Sequence, residues 1–399
     1  MGVGKRSEAI VGLVVATCLV AANMRPTITA VGPLLAQIGD DTGLPPTMLG
    51  LLGAVPLITW ALVSPLARDV SRRFGMSRAV TWSLVVLSVG TVVRSLPGPT
   101  ASLWLGTAII GCALAIVNVL MPAAIKRDFP ERVPAMMAAY TALLGGLGAV
   151  ASGIAVPVSH LELPTGEAGW RFALFLIGFA LLPFAIGAWA WATRGAGREA
   201  ANGAAHGRTG IWRDPVAWTV AAYMGFQAST FYMLLTWLAS ISTSTGRSAV
   251  VAGVDVMIFQ IFSVAGSLVI PFLLRGRLER WVPALIPPLG IVGVVGLMAA
   301  PDAILAWVVL IGLSSGASLG MTLTLMAQRA RDHDASAALS GMSQSVGYVL
   351  AALGPVLFGW VHATVGGWVV PLALVLLVMV GQTVTGVFAG RETYVLERR

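Results

Sequence analysis

The sequence predicts an all-α polytopic membrane protein whose twelve transmembrane helices form two pseudo-symmetric halves of six. Three observations predict it. Of the 399 residues, 57% are apolar and only 11% charged, against roughly 45–50% and 25% in soluble domains. Apolar runs of 18 or more residues recur about twelve times, each long enough to cross a ~30 Å hydrocarbon core as a helix. The cations also alternate between loops. The side carrying both termini holds 21 of the 25 Lys and Arg residues, the opposite loops hold only Arg94, Arg171 and Arg247, and Arg25 is the remaining one. Over an even number of crossings this places both termini in the cytoplasm. The net charge of +8 therefore orients the chain in a bilayer and does not mark it for nucleic acid. Arginine outnumbers lysine 23 to 2, a GC-rich signature that points to a bacterial inner membrane.

Span 1 (9–38) carries Asn23-Met24-Arg25-Pro26 near its middle. It is too long, and too interrupted by Arg25 and Pro26, for a cleaved signal peptide. A guanidinium at bilayer depth costs roughly 2.5–3.5 kcal/mol on insertion scales, so one retained there faces a protein cavity. Two readings stand: a clamp on carbonyls or an ion pair that locks helices, or a fixed charge that receives an anion. Asn23 and Arg25 would point about 200° apart on an unbroken helix. Pro26 removes the hydrogen bond to the Ala22 carbonyl, and the resulting kink would turn both heads toward one cavity.

Spans 2 (47–67) and 3 (79–96) flank a basic loop at 68–78. Span 4 (102–125) ends on Lys126-Arg127-Asp128, span 5 (134–158) leads into an outer segment at 159–169, and span 6 (170–193) closes the first half. The polar stretch 194–214, rich in Gly, Ala and charge, reads as a flexible cytoplasmic linker between halves 1–193 and 215–399. Span 7 (215–242) is followed by span 8 (248–274), which holds Asp255, the one acidic residue inside any span. Spans 9 to 12 cover 281–300, 303–328, 336–361 and 367–390. Their glycines and prolines are compatible with membrane helices, where neighbours satisfy freed backbone groups. Cys18 and Cys112 fall in apolar spans without ligand spacing and read as small buried residues. No metal or cofactor site is expected.

The halves echo each other. Leu62-Val63-Ser64-Pro65 and Leu268-Val269-Ile270-Pro271 each precede a basic loop, at an offset of 206, and Lys126-Arg127-Asp128 matches Ala330-Arg331-Asp332 at 204. The offset of 204 also pairs Asn23 with Gln227, Asn118 with Thr322 and Tyr140 with Gln344. Two parallel six-span repeats joined by a basic linker are the plan of major facilitator transporters, whose solute site lies near the midplane between the halves. The large amides at 23, 118, 227 and 344 need several partners each and favour a cavity lining. Ser314, Ser318 and Thr322, spaced i, i+4, i+8, read equally well as interhelical glue.

Three stretches resemble the cyanate/2-nitroimidazole permease family of the major facilitator superfamily. They are Ala22-Asn23-Met24-Arg25-Pro26 with Val31-Gly32-Pro33-Leu34-Leu35; Asn118-Val119-Leu120-Met121-Pro122 through Lys126-Arg127-Asp128-Phe129-Pro130; and Phe226-Gln227-Ala228-Ser229 with Phe231-Tyr232 and Trp237-Leu238. Gly347-Tyr348 and Gly354-Pro355 agree as well. The resemblance covers the whole chain and implies a secondary transporter of a small solute. The chain departs from the superfamily's general signature after span 2, where Arg72 stands at the usual Asp position.

An arginine fork pairs two donors with a planar anion. Arg25, with Asn23, Asn118, Tyr140, Gln227, Tyr232, Trp237, Gln344 and Tyr348, is therefore the candidate lining for a small planar solute, anionic or heteroaromatic. Asp255 is the candidate for proton coupling, because a carboxylate at depth can carry a proton. It can equally be hydrated or paired with Arg247, and anion exchange or uniport without any acidic residue stays open. The expected partners are a small-molecule solute and the lipid bilayer, with the chain as a monomer. An enzyme is not expected: the four histidines lie in loops or at span ends, and no HExxH or paired intramembrane carboxylates occur. The rival reading is a multidrug exporter of the same fold, whose lipophilic cations Arg25 would repel.

Overall fold

The computed structural model describes residues 3–164, 166–194, 210–274, 279–331 and 333–397. They are helical almost throughout, apart from a small hairpin pairing Glu162–Leu163 with Gly166–Glu167. Among them, eleven helices are long and apolar enough to cross a membrane. The twelfth expected span is the 30-residue helix α11 below, which carries Gln227, Ser229, Thr230, Tyr232, Thr236 and Trp237, all of them buried. Its polar side chains dilute its hydropathy, and the neighbouring helices shelter them.

The first span is three helices in a row: α1 (Val3–Met24), α2 (Pro26–Thr29) and α3 (Val31–Thr42). Pro26 breaks it as expected, and a second break follows at Ala30. Then come α4 (Pro46–Val63), a short amphipathic α5 (Ala67–Phe74), α6 (Met76–Ser95), α7 (Ala101–Asp128), α8 (Val133–Ser159), and the pair α9 (Gly169–Phe179) and α10 (Leu182–Ala192). The second series is α11 (Pro215–Ser244), α12 (Ala249–Leu273), α13 (Val282–Ala299), α14 (Ile304–Gln328), α15 (His333–Val365) and α16 (Val369–Ala389).

The chain forms two compact units. The first comprises residues 1–38 and 59–203, the second 39–58 and 204–399. Most of α4 thus groups with the second unit, an assignment that sequence repeats do not reveal. Of the expected linker 194–214, residues 195–209 lie outside the described residues.

In the first unit, α6 and α7 pack backbone to backbone. A Cβ at Gly106 would stand 2.3 Å from the Arg94 nitrogen, and one at Gly90 2.9 Å from the Ile110 nitrogen. α1 packs on α8 and α10. The buried Trp189 of α10 donates its indole N–H to the Ser77 carbonyl at 3.0 Å, anchoring the start of α6.

In the second unit, α11 packs along α15, and α12 along α14. The α12–α14 crossing is built from glycine: a Cβ at Gly316 would meet the Ser263 carbonyl oxygen at 1.6 Å, and one at Gly266 the Leu313 oxygen at 2.1 Å. Small residues let membrane helices approach this closely. Ser314 adds interhelical glue, donating to the Ile286 carbonyl at 3.0 Å, while Thr322 bonds back to Ser318 within its own helix. Asp214 caps α11 through Val216 N–H at 2.8 Å and also accepts the Leu396 N–H at 2.6 Å, so the segment after α16 is tied to the start of α11.

Gly316→Ala should therefore be costly. The added methyl group has only backbone to push against, and overpacking of this kind costs about 1–3 kcal/mol or more. Gly146→Ala in α8, where nothing lies within 4 Å of the new Cβ, should be neutral or stabilising by helix propensity. Melting temperatures of the two purified variants check the contrast.

Candidate functional site

The candidate residues divide between the two units. Arg25, Asn23, Asn118 and Tyr140 belong to the first; Gln227, Tyr232, Trp237, Gln344, Tyr348 and Asp255 belong to the second.

Arg25 is the residue at the break itself. It lies between α1 and α2 with φ −100° and ψ −36°, half-buried, and its carbonyl accepts from Ile28 N–H at 2.9 Å and Thr29 N–H at 3.0 Å. The short segment after it is held from two sides. Arg94 of α6 donates to the Thr27 carbonyl at 2.6 Å; Thr29 donates its hydroxyl to Gly148 of α8 at 2.7 Å, and Ser152 of α8 returns a bond to the Thr29 carbonyl at 3.0 Å. These side chains satisfy carbonyls that a broken helix would otherwise leave bare. Arg25 thus stands on a fixed stretch of irregular backbone. Next to it, the Tyr140 hydroxyl of α8 donates to the Met24 sulfur at 2.9 Å.

The kink does not bring Asn23 forward as expected. Its amide nitrogen turns back onto the Leu19 carbonyl of its own helix at 2.7 Å, and the side chain is buried. A buried Asn side chain on a helix finds its nearest acceptor in the carbonyl one turn below, inside α1 and upstream of the Pro26 break. Asn118 lies half-buried on α7.

In the second unit, Gln227 and Tyr232 are buried on α11, and Tyr232 meets Phe231 edge to face with centroids 5.1 Å apart. Trp237 has a definite packing role. Its N–H donates to the Pro355 carbonyl of α15 at 3.0 Å, and its ring lies among Phe358, His362 and Trp368 at 6.1–6.3 Å. Gln344 bonds Ser340 one turn below at 2.9 Å, and Tyr348 packs against the apolar core around Met224 and Met321.

Asp255 is fully buried and fully occupied. Arg247 grips it with two parallel bonds, Nε to Oδ2 at 2.9 Å and Nη2 to Oδ1 at 2.8 Å, and Ser242 donates to Oδ2 from the end of α11. Of the readings left open by the sequence, this geometry is the pairing with Arg247: a pin across the α11–α12 turn.

Arg94 is the residue that sequence reasoning misplaced. Counted with the loop cations, it belongs instead to the last turn of α6 and is 1% exposed. Its place inside the apolar run 79–96 is the signal that sets it apart from the loop cations.

The Major Facilitator Superfamily model matches residues 13–355. The chain is 38% identical over 382 residues to the 2-nitroimidazole transporter of Escherichia coli (strain K12), covering 95% of each chain. It is 29% identical to the cyanate transport protein CynX of the same organism, covering 91% of this chain and 93% of that one. Among solved structures, a bacterial homolog of the human lysosomal transporter Spinster, inward-facing and unoccupied, superposes with a TM-score of 0.81 at 16% identity, covering 98% of both chains. The chain belongs to the Major Facilitator Superfamily, and within it to the family of these 2-nitroimidazole and cyanate transporters. It is a multi-pass membrane transporter.

Proposed function

We propose that the protein carries a small planar solute, anionic or heteroaromatic, across the bacterial inner membrane by alternating access, and that Arg25 is its recognition group. The supporting observation is the placement of Arg25 at the break of span 1, on backbone held by Arg94, Thr29 and Ser152. A fixed guanidinium at depth is a site for an anion or a strong acceptor. The names of the relatives, a 2-nitroimidazole transporter and a cyanate transport protein, agree with that class of solute. Within the same unit as Arg25, Asn118 and Tyr140 are the candidate neutral and aromatic partners for it, with Asn23 bracing the end of α1; in the second unit Gln227 and Tyr232 stand on α11, which Trp237 buttresses, and Gln344 and Tyr348 on α15. We read Asp255 as a pin rather than a proton carrier, and the transporter as a monomer. A multidrug exporter of the same fold is the alternative.

A thermal-shift screen of the purified protein tests the class of solute. Cyanate, planar carboxylates or 2-nitroimidazole should stabilise it, by about 2.7 kcal/mol for a ligand at a hundred times its Kd. Lipophilic cations should not. Stabilisation by such cations alone would favour the exporter.

The proposed orientation has both termini in the cytoplasm and the hairpin near Leu163 in the periplasm. Reporter fusions after Arg399 and at Leu163 are expected to read cytoplasmic and periplasmic; the reverse pattern would invert the topology.

A further inference from the structure

The first unit holds a second arginine within a membrane-spanning helix, in the last turn of α6. One arm of the buried Arg94, Nη1, donates to the Thr27 carbonyl. Its Nε and Nη2, and the Thr27 hydroxyl, are buried without a hydrogen-bond partner. Among the described residues no carboxylate pairs with it. Placement in the last turn of α6 offers some compensation from the helix carbonyls, but a buried guanidinium is costly unless its donors are met.

Which two nitrogens are left is informative. Nε and Nη2 form one edge of the guanidinium, the edge that grips a planar anion through two parallel N–H···O bonds. Among the described residues that edge holds carboxylates elsewhere: Arg127 holds Asp128 at 2.6 and 2.9 Å, and Arg247 holds Asp255 at 2.9 and 2.8 Å. In Arg329, the other buried arginine among the described residues, the same edge holds the carbonyls of Ala389 and Gly390. In Arg94 it meets no protein acceptor. The group is also fixed in place, by Thr27 on its far arm and by Gly106 of α7, which lies flush against its backbone.

We propose that the Nε/Nη2 edge of Arg94, with the Thr27 hydroxyl, is a second subsite for the transported solute, loaded at a stage of the cycle when this edge is uncovered. The inference rests on the reading of Arg25 as an anion-recognising group, and it narrows the substrate class. Thr27 is two residues from Arg25, so Arg94 grips the same short stretch of backbone on which Arg25 stands. A group with two coplanar oxygens, a carboxylate above all, fills the edge; linear cyanate fills only one end of it.

Binding of benzoate and of cyanate to the purified full-length protein, measured by calorimetry, tests this in the parent, Arg94→Gln, Arg94→Lys and Arg25→Ala. Gln keeps an N–H for the Thr27 carbonyl and Lys keeps the charge, but neither keeps the fork. Benzoate affinity should fall at least roughly 10-fold in both Arg94 variants, with melting temperatures near the parent's and a smaller loss for cyanate. Unchanged benzoate affinity in either stable Arg94 variant would overturn the subsite. So would an equal loss for both anions accompanied by a lowered melting temperature in both variants, which is the signature of a carbonyl clamp alone. If Arg25→Ala weakens binding and the Arg94 variants do not, only the subsite fails. If the parent binds neither anion, the subsite fails, and the Arg25 reading fails with it when 2-nitroimidazole does not bind either.

Discussion

Arg25→Ala is expected to weaken solute binding roughly 10- to 150-fold while leaving the melting temperature close to the parent's. The magnitude is that of one charge-assisted hydrogen bond, about 1.5–3 kcal/mol. The stability expectation follows from what holds the broken segment. The carbonyls of Thr27 and Thr29 are met by Arg94 and Ser152, and Thr29 is tied to Gly148. The Arg25 side chain makes none of those three bonds, so its loss leaves them in place. Arg25→Lys keeps the charge but loses the planar fork, and should recover little if recognition is bidentate. An arginine whose task is to lock helices behaves oppositely: its removal lowers the melting temperature or the expression level without a selective loss of affinity. Affinity and melting temperature measured on the same preparations separate the two.

The largest stability effect is expected at Asp255. Asp255→Ala removes the acceptor of both Arg247 bonds and of the Ser242 hydroxyl. Breaking a buried pair by deleting one partner costs roughly 3–5 kcal/mol, and the partial exposure of Arg247 places this case near the lower end. Replacing both partners with apolar residues, Asp255→Leu with Arg247→Met, should restore most of the loss, because no charge is then left uncompensated. A second readout concerns energetics. As a pin, Asp255 is dispensable for coupling, so any uptake driven by a pH gradient should persist in those Asp255→Asn molecules that remain folded. Loss of gradient-driven accumulation with solute exchange intact would make Asp255 the proton carrier.

Much of this architecture is legible in the sequence because membrane helices write themselves as length and charge. The apolar runs and the Pro26 break carry through to the helices. What stayed hidden depends on side-chain partners. The spacing of Asn23 and Arg25 gives their directions on a helix but not that the Asn23 amide finds the Leu19 carbonyl first. Trp237 reads as an aromatic wall, yet its N–H is claimed by Pro355 from 118 residues away. Arg94, near the end of an apolar run, counts with the loop cations, and only the fold shows that its guanidinium turns inward to Thr27. Residues 39–58 group with the second unit through close packing of Gly50 against Pro355 and Gly53 against Thr236, contacts no local pattern announces.

Counterflow in proteoliposomes containing the purified protein measures the central claim directly. Vesicles loaded with an unlabelled planar carboxylate or with 2-nitroimidazole should transiently concentrate the labelled solute, and Arg25→Ala should abolish most of that overshoot at solute concentrations near the parent's half-saturation. A lipophilic cation should neither show counterflow nor compete. Counterflow of the lipophilic cation, at the same rate with Arg25 or Ala at position 25, would contradict recognition of a planar acceptor by this arginine.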